Sequence, residues 1–199
     1  MDSIPFDYDE SFNDEARITY VNDTLFHMPF GDEVGEYYKL NIARGLAGDC
    51  MKRFLVGIGP RNTGKSTISL ALKESCGGYY AGWNGAGIAV KNNITDEAQR
   101  LRWLLLLRNK RIIVSNELST NINIDGNMFK KMSNGGADDI VARMHQGYET
   151  EFRVGFLPIL FAQDLPKITP YDDAVEVRLR SIPYTKEYVN EPSSELHLR

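Results

Sequence analysis

This chain contains the glycine-rich segment Gly59-Pro-Arg-Asn-Thr-Gly-Lys-Ser66. It matches the pattern GxxxxGK[ST] at every fixed position. A short apolar run, Arg53 to Gly59, comes before it, and a helical pattern from Lys65 to Cys76 comes after it. A strand, a glycine-rich turn and a helix in this order are typical of a phosphate-binding loop, whereas a chance match in an ordinary turn would not need that context.

The chemistry of phosphate binding explains the spacing of this loop. Backbone N–H groups must surround an anion closely, and Gly59 and Gly64 permit the backbone angles that this requires. Lys65 would contact the β- and γ-phosphates, and the hydroxyl of Ser66 would bind Mg²⁺. We therefore predict a nucleotide site formed by Gly59, Pro60, Arg61, Asn62, Thr63, Gly64, Lys65, Ser66 and Thr67.

A second apolar run, Arg111 to Ser115, predicts a buried strand that is followed by Asn116 and Glu117. A nucleotide hydrolase needs a group that orients or deprotonates water, often an acid at the end of a strand next to the loop strand. Glu117 is the candidate base, and Ser66, Asn116 and Glu117 are the candidate metal ligands. Many ATPases have an Asp where this chain has Asn116, and an amide contributes less charge. The alternative is an ordinary surface glutamate at a strand end.

The charge distribution separates an acidic beginning from a mildly basic remainder. The formal net charge is −4, yet residues 1–38 hold ten acids and one base, and residues 39–199 hold seventeen acids and twenty-two bases. The basic remainder permits a surface that contacts phosphates. No apolar run approaches the roughly 20 residues that span a bilayer, and no signal pattern begins the chain. Two isolated cysteines, Cys50 and Cys76, favour reduced thiols in an intracellular protein. The lack of a membrane-spanning run predicts no membrane partner.

The hydrophobic pattern along the chain predicts an α/β fold. Residues 1–35 have weak periodicity and are interpreted as an irregular, acidic arm or linker. A P-loop domain over 36–185 and a tail over 186–199 follow. Within the domain we predict helices over 36–48, 65–76, 95–109 and 125–132, and strands over 53–59, 111–115 and 174–182. Apolar β-rich runs over 140–163 predict further strands, including an antiparallel hairpin over 140–156. Strands interleaved with helices favour a mainly parallel central sheet flanked by helices.

The order of the later motifs resembles the superfamily 3 helicases of DNA viruses, phages and plasmids, over about residues 37–185. A lysine-containing helix and a Ser/Gly-rich turn with an acid match residues 129–139, although Ala137 is inserted before the acid. In that family this region leads into a hairpin that projects into a central pore and touches DNA. The resemblance implies Arg143, His145 and Arg153 as nucleic-acid contacts. A solvated hairpin without DNA contact is the alternative.

The family's third motif, an apolar strand that ends in a polar sensor before Leu-Pro, resembles residues 157–166. Gln163 replaces the usual Asn and offers the same amide donors and acceptor. By resemblance it would hold the attacking water or sense the γ-phosphate. The alternative is an amide that only caps the strand end.

The last resemblance is residues 173–184, in which Arg178 stands five positions before Pro183. In the family this arginine reaches into the ATP site of the neighbouring subunit and stabilises the transferred phosphoryl group. Arg178 and Arg180 would share one face of a strand, so either could be this arginine finger, and Arg178 is favoured.

The resemblance implies a P-loop NTPase core of AAA+ type that acts as an ATP-dependent DNA helicase motor in viral or plasmid replication. It implies ATP and Mg²⁺ as cofactors, catalytic Lys65, Glu117, Gln163 and Arg178, a homo-hexameric ring around single-stranded DNA, and a setting in a virus-infected cell. A primase domain or protein would be a further partner, since residues 1–35 are too short to form one. Two other classes remain: a small-molecule P-loop kinase, although no arginine-rich lid is visible, and a nucleotide-binding protein with little or no hydrolysis, suggested by Asn116 and Gln163.

Overall fold

The computed structural model describes residues 3–5, 7, 9–91, 96–115, 118, 122–144 and 147–189. Its strands are β1 (Phe54–Ile58), β2 (Tyr80–Trp83), β3 (Ile112–Ser115), β4 (Ile124–Asp125), β5 (Asp139–Arg143), β6 (Glu149–Arg153), β7 (Leu157–Ala162), β8 (Ile168–Thr169) and β9 (Leu179–Pro183). Its α-helices are α1 (Glu15–Asn22), α2 (Met28–Phe30), α3 (Asp32–Ala47), α4 (Lys65–Cys76), α5 (Glu97–Arg100), α6 (Arg102–Leu105), α7 (Gly126–Met132) and α8 (Asp173–Glu176). A π-helical segment, Asp23–His27, joins α1 to α2. Within the described ranges, no helix is long and apolar enough to cross a membrane.

A five-stranded parallel sheet of order β2-β3-β7-β1-β9 forms the centre of the fold. Successive side chains of a strand point to opposite faces. Phe54 and Val56 therefore pack in the cluster that includes Phe129 of α7, while Leu55 packs in the other cluster, with Tyr38 of α3. The antiparallel hairpin β5–β6 is a separate two-stranded sheet. The predicted mainly parallel α/β fold with a β-hairpin insertion is confirmed.

The order of the strands corrects one expectation. β7 lies between β1 and β3, so the loop strand and the strand before Asn116 are not immediate neighbours. All six residues of β7 are buried, as the central position of a parallel sheet requires. Because every pairing in this sheet is parallel, the carboxyl ends of β1, β3 and β7 still lie at one edge.

The interpretation of residues 1–35 as irregular is wrong over Glu15–Asn22 and the helical residues that follow. Asp14 caps α1 by accepting a hydrogen bond from the amide of Ala16 at 2.9 Å. α1 buries no side chain, so it lacks the apolar periodicity that would have indicated a helix. Beyond it, Phe26 is buried, and the ring of Phe30 packs edge-to-face on Tyr38 with ring centroids 5.5 Å apart. These aromatic contacts attach the segment to the core.

Helix α3 begins at Asp32, four residues before the predicted start, and contains Gly45 at a point of close packing. A Cβ on Gly45 would lie 2.8 Å from the Cβ of Leu157 and 3.0 Å from the Cδ1 of Ile112. The absence of a side chain at Gly45 therefore lets the helix approach the sheet.

Two further predictions of regular structure are wrong in part. The helix expected over 95–109 is two short helices, α5 and α6, with Leu101 between them and Asp96 as the cap of the first. The strand expected over 174–182 begins as α8, capped by the carboxylate of Asp172, which accepts from the amide of Val175 at 3.0 Å. Only Leu179–Pro183 pairs with β1, so Arg178 lies in the turn before the strand and does not share a strand face with Arg180.

Candidate nucleotide-binding site

The glycine-rich loop connects the carboxyl end of β1 to the first turn of α4. Asn62 and Gly64 adopt left-handed backbone conformations, with φ of 60° and 87°. Asn and Gly are the residues that adopt this conformation most readily. The loop thereby turns the chain so that the amino-terminal end of a twelve-residue helix faces the loop interior, where backbone N–H groups and the helix dipole favour an anion.

The first glycine of the loop is required by a close approach of two backbone segments. The amide of Tyr184 donates to the carbonyl of Ile58 at 2.6 Å. A Cβ on Gly59 would lie 2.0 Å from the carbonyl oxygen of Tyr184. Any side chain at this position would therefore push apart β1 and the residues that follow β9.

The lysine of the motif points into the loop. Lys65 is 8% exposed, and its Nζ donates to the carbonyls of Gly59 and Pro60 at 2.5 Å each. Its Nζ also lies 3.4 Å from the Oγ1 of Thr63, a residue that is 2% exposed and itself donates to the carbonyl of Pro60. The loop thus holds one buried positive charge at its centre.

A cavity of about 650 Å³ opens beside the loop. This volume falls within the usual range for small-molecule sites. One wall is formed by loop and α4 residues from Arg61 to Ile68, which include every predicted nucleotide ligand after Pro60. The remaining wall consists of Thr24, Leu25, Pro29, Phe30, Tyr184 and Tyr188.

Apart from Tyr184, this remaining wall comes from segments that were predicted to form an arm and a tail. Leu25, Pro29 and Phe30 precede the predicted domain, and Tyr188 follows it. The sequence signal that could have located the amino-terminal part is the pair Phe26 and Phe30, which are four residues apart and both contact Tyr38. Residues on both sides of the predicted domain therefore contribute to the pocket.

Residues 184–189, here called the strap, cross the mouth of the loop after β9. The amide of Tyr188 donates to the carbonyl of Asn62 at 2.8 Å. The Tyr188 ring lies 3.4 Å from the point that a Cβ on Gly64 would occupy, and partial burial raises the pKa of its hydroxyl. Lys186 donates to the carbonyl of Met28. The strap therefore contacts both the loop and the amino-terminal wall.

The remaining candidates at this edge follow β7 and β3. Gln163 comes directly after β7, whose last residue, Ala162, accepts a hydrogen bond from the amide of Gly59 at 3.2 Å. The predicted sensor is thus beside the loop. Asn116 and Glu117 lie outside the described residues. The residue before them, Ser115, is the last of β3 and is 1% exposed.

Arg178 lies at the opposite end of the sheet from the loop of its own chain. Its carbonyl accepts from the amide of Phe54, the first residue of β1. Its guanidinium donates to the carbonyl of Ala174 at 2.6 Å and to that of Ser133 at 3.3 Å. Since a strand rises about 3.3 Å per residue, the length of β1 separates this arginine from Gly59 by roughly 17 Å. Arg178 is therefore not part of the pocket of its own chain.

The described arginines of the hairpin pair with acids of the same chain. Arg143 forms an ion pair with Asp96, and Arg153 donates to Asp139 at 2.8 Å. The third predicted nucleic-acid contact, His145, lies outside the described residues.

No protein-family model matches this chain. It is 37% identical over 158 residues to the protein named "Putative helicase V13" of Sputnik virophage, a match that covers 76% of this chain and 20% of that protein. The chain therefore spans only 20% of that relative's length.

The fold is similar to two kinds of solved structure. It matches the apo C-terminal region of NrS-1 with a TM-score of 0.54 at 15% identity, over 99% of this chain and 42% of that one. It matches JCV helicase with a TM-score of 0.52 at 14% identity, over 93% of this chain and 48% of that one. At these identities the structures establish the fold alone. The family rests instead on the 37% identity to the putative helicase, which confirms the resemblance to superfamily 3 helicases.

Proposed function

We propose that this chain, a relative of the superfamily 3 helicases, is the ATP-hydrolysing motor of a DNA helicase that acts in viral or plasmid replication. The observation that carries the proposal is the loop. A buried lysine lies at the centre of a glycine-rich turn, at the carboxyl edge of a parallel sheet and beside a ligand-sized cavity. Parallel α/β sheets bind their ligands at this edge.

The loop fits the phosphates of a nucleotide. Lys65 would exchange its bonds to the carbonyls of Gly59 and Pro60 for phosphate oxygens, while the backbone amides that end at α4 bind the same anion. Ser66 and Thr67 are exposed on the cavity wall, where the hydroxyl of Ser66 provides the hard oxygen ligand that Mg²⁺ prefers. Bound Mg²⁺ would neutralise charge on the β- and γ-phosphates.

The remaining wall of the pocket fits the base of the nucleotide. Leu25, Pro29, Phe30 and Tyr188 offer an apolar, partly aromatic surface against which a flat base can pack. Such a wall recognises the face of a base and not its hydrogen-bonding edge. We therefore propose ATP as the nucleotide because of the family resemblance, and we place its base here because of the shape of the pocket.

Hydrolysis would take place between the loop and the ends of β7 and β3. Because β7 separates β1 from β3, the loop strand and the strand before Glu117 are two strand spacings apart, about 10 Å. This gap accommodates a γ-phosphate and an attacking water, with Gln163 positioned between the two strands to hold that water. Glu117 would act as its general base, and Asn116 would orient a water of the metal shell.

The position of Arg178 favours action on a neighbouring subunit. A side chain roughly 17 Å from its own loop cannot reach its own nucleotide. In a ring, here proposed to be a homo-hexamer, the same side chain would face the loop of the next subunit, and Arg180 is the alternative finger. Hydrolysis at such interfaces would move the β5–β6 hairpin and translocate single-stranded DNA, in concert with a primase domain or protein.

The test is ATP hydrolysis with and without single-stranded DNA, for the wild type, Lys65→Ala, Arg178→Ala and the matched variant Arg180→Ala. Lys65→Ala should abolish turnover, and Arg178→Ala should bind ATP normally but not hydrolyse it. Mixing these two variants should restore activity, because a subunit with an intact Arg178 would complete the site of a subunit with an intact Lys65.

Two results would contradict different parts of the proposal. An unchanged rate of ATP hydrolysis by Lys65→Ala would mean that the loop takes no part in hydrolysis. ATP binding by the wild type without turnover, in the presence of DNA, would instead favour a non-hydrolysing nucleotide-binding protein. Two residues favour this second candidate: Asn116, where many ATPases have an Asp, and Gln163, which replaces the usual Asn.

A further inference from the structure

Two positive charges line the nucleotide pocket. The charged residues of its described lining are Arg61 and Lys65, and that lining contains no carboxylate. The chain as a whole is acidic, with a formal net charge of −4, so this concentration of positive charge is local. A cleft lined by charge of one sign attracts ligands of the opposite sign. The pocket therefore suits a ligand that carries several negative charges.

The protein holds these two cations in different ways. Lys65 is buried, and its Nζ donates to two carbonyls of the loop at 2.5 Å each. The side chain of Arg61 is exposed and forms neither a hydrogen bond nor an ion pair with any residue that the structure describes. Arg143 and Arg153, by contrast, pair with acids of the same chain. Arg61 can therefore bind a ligand without losing a partner in the protein.

A guanidinium in the loop has the right chemistry for phosphate. Its planar N–H groups can donate two parallel hydrogen bonds to one phosphate, and it stays protonated at every physiological pH. Arg61 belongs to the loop itself, four residues before Lys65. The next residue, Asn62, has a left-handed backbone conformation with φ of 60°. The side chain of Arg61 thus begins at the turn that would surround the phosphates.

We propose that Arg61 binds the polyphosphate of the nucleotide as a second cation beside Lys65, and that it lets the site bind a nucleoside triphosphate without Mg²⁺. This inference rests on the nucleotide site of the proposed function. Mg²⁺ neutralises part of the charge on the β- and γ-phosphates of a bound nucleotide. Asn116 is an amide where many ATPases have an acid near the metal, whereas Arg61 adds a positive charge that needs no metal. Polyphosphate binding therefore depends most on Arg61 when Mg²⁺ is removed.

The experiment measures the affinity for ATP and for inorganic tripolyphosphate by isothermal titration calorimetry, once with EDTA and once with Mg²⁺. With EDTA, Arg61→Gln should weaken binding of both ligands about tenfold or more, the value of one hydrogen bond between charged groups. With Mg²⁺ the loss should be smaller, because the metal supplies positive charge. Arg61→Lys keeps the charge and should lose less affinity than Arg61→Gln.

The matched control is Arg102→Gln, which removes the same charge from an exposed arginine of α6 that does not line the pocket. It should bind both ligands as the wild type does. An equal loss in Arg102→Gln and Arg61→Gln would overturn the inference, since only the overall charge of the protein would then matter. Wild-type affinity of Arg61→Gln for tripolyphosphate in EDTA would overturn it as well. A loss in Arg61→Gln that is the same with and without Mg²⁺ would show that Arg61 does not replace charge of the metal.

The wild type separates this inference from the proposed function. A wild type that binds neither ligand under either condition would contradict the nucleotide site itself. A wild type that hydrolyses ATP, while Arg61→Gln binds both ligands normally, would refute only the role of Arg61. Binding in EDTA that depends on Arg61, in a protein that hydrolyses no ATP with Mg²⁺ and DNA, would refute the motor and support the second cation.

Discussion

Replacement of Tyr188 by alanine tests whether the cavity beside the loop holds a base. The side chain crosses the mouth of the loop and is 52% exposed, so its removal leaves the core clusters intact. We expect Tyr188→Ala to weaken ATP binding and to leave the binding of inorganic tripolyphosphate unchanged, because tripolyphosphate occupies only the loop. Tyr188→Phe, which retains the ring, should behave as the wild type.

The size of the effect follows from the surface that Tyr188 still has to bury. Full burial of an aromatic side chain removes about 150–250 Å² from water, so a half-exposed ring retains roughly 100 Å². A base stacked on one face covers about half of that, which at about 25 cal/mol per Å² amounts to roughly 1 kcal/mol. The dissociation constant for ATP should therefore rise about five- to tenfold.

Isothermal titration calorimetry with Mg²⁺-ATP and Mg²⁺-tripolyphosphate measures both quantities on the same protein. Equal losses for the two ligands would mean that the strap shapes the phosphate loop and not a base site, and no loss for either would refute the base position. Failure of the wild type to bind tripolyphosphate at all would instead contradict the loop itself.

Three further predictions concern stability, each measured by urea denaturation. Gly59→Ala should lower the free energy of unfolding by about 1–3 kcal/mol, since its Cβ would meet a backbone oxygen. The control is Gly82→Ala, whose Cβ would meet no atom within 4 Å and which should change the free energy of unfolding by less than about 0.5 kcal/mol. The ring of His27 donates a hydrogen bond to the carboxylate of Glu36 in α3, and this bond raises the pKa of His27 above its ordinary 6.5. The stabilisation from this contact is therefore complete below pH 6.5 and is lost as pH rises through the raised pKa. His27→Gln should remove that pH dependence, and an unchanged profile would contradict it. Asp125→Ala removes the cap of α7 and also the carboxylate that pairs with the nearly buried Arg100, whose Nη2 lies 2.9 Å from Oδ2 of Asp125. The free energy of unfolding should fall by about 2–4 kcal/mol. Asp125→Asn can still cap the helix and should lose less stability.

The loop and α4 could be predicted to the residue because local chemistry determines both. The glycine pattern marks the turn, and the helix then runs from Lys65 to Cys76 until Gly77 ends it. Strands β1 and β3 were equally clear, since continuous apolar runs predict buried parallel strands. Their order in the sheet could not be predicted, because the position of β7 between them depends on contacts between residues distant in sequence.

Short or exposed helices escaped prediction for a different reason. α1 buries nothing, and α8 has four residues, fewer than periodicity needs for detection. The partly alternating residues around Val175 therefore resembled a strand. The aromatic wall of the pocket was missed because Pro29, Phe30 and Tyr188 belong to no motif. Their proximity comes from the packing of Phe30 and Tyr184, whose ring centroids are 4.8 Å apart.

The strap has a practical consequence for anyone who shortens this protein. A version cut to residues 36–185 would retain every recognisable sequence motif while discarding Phe30 on one side and the Lys186 and Tyr188 anchors on the other. Such a fragment should still attract phosphate but discriminate poorly between a complete nucleotide and its bare polyphosphate. The functional boundaries of this protein are thus set by aromatic rings such as Phe30 and Tyr188, which lie outside the span of the recognisable motifs.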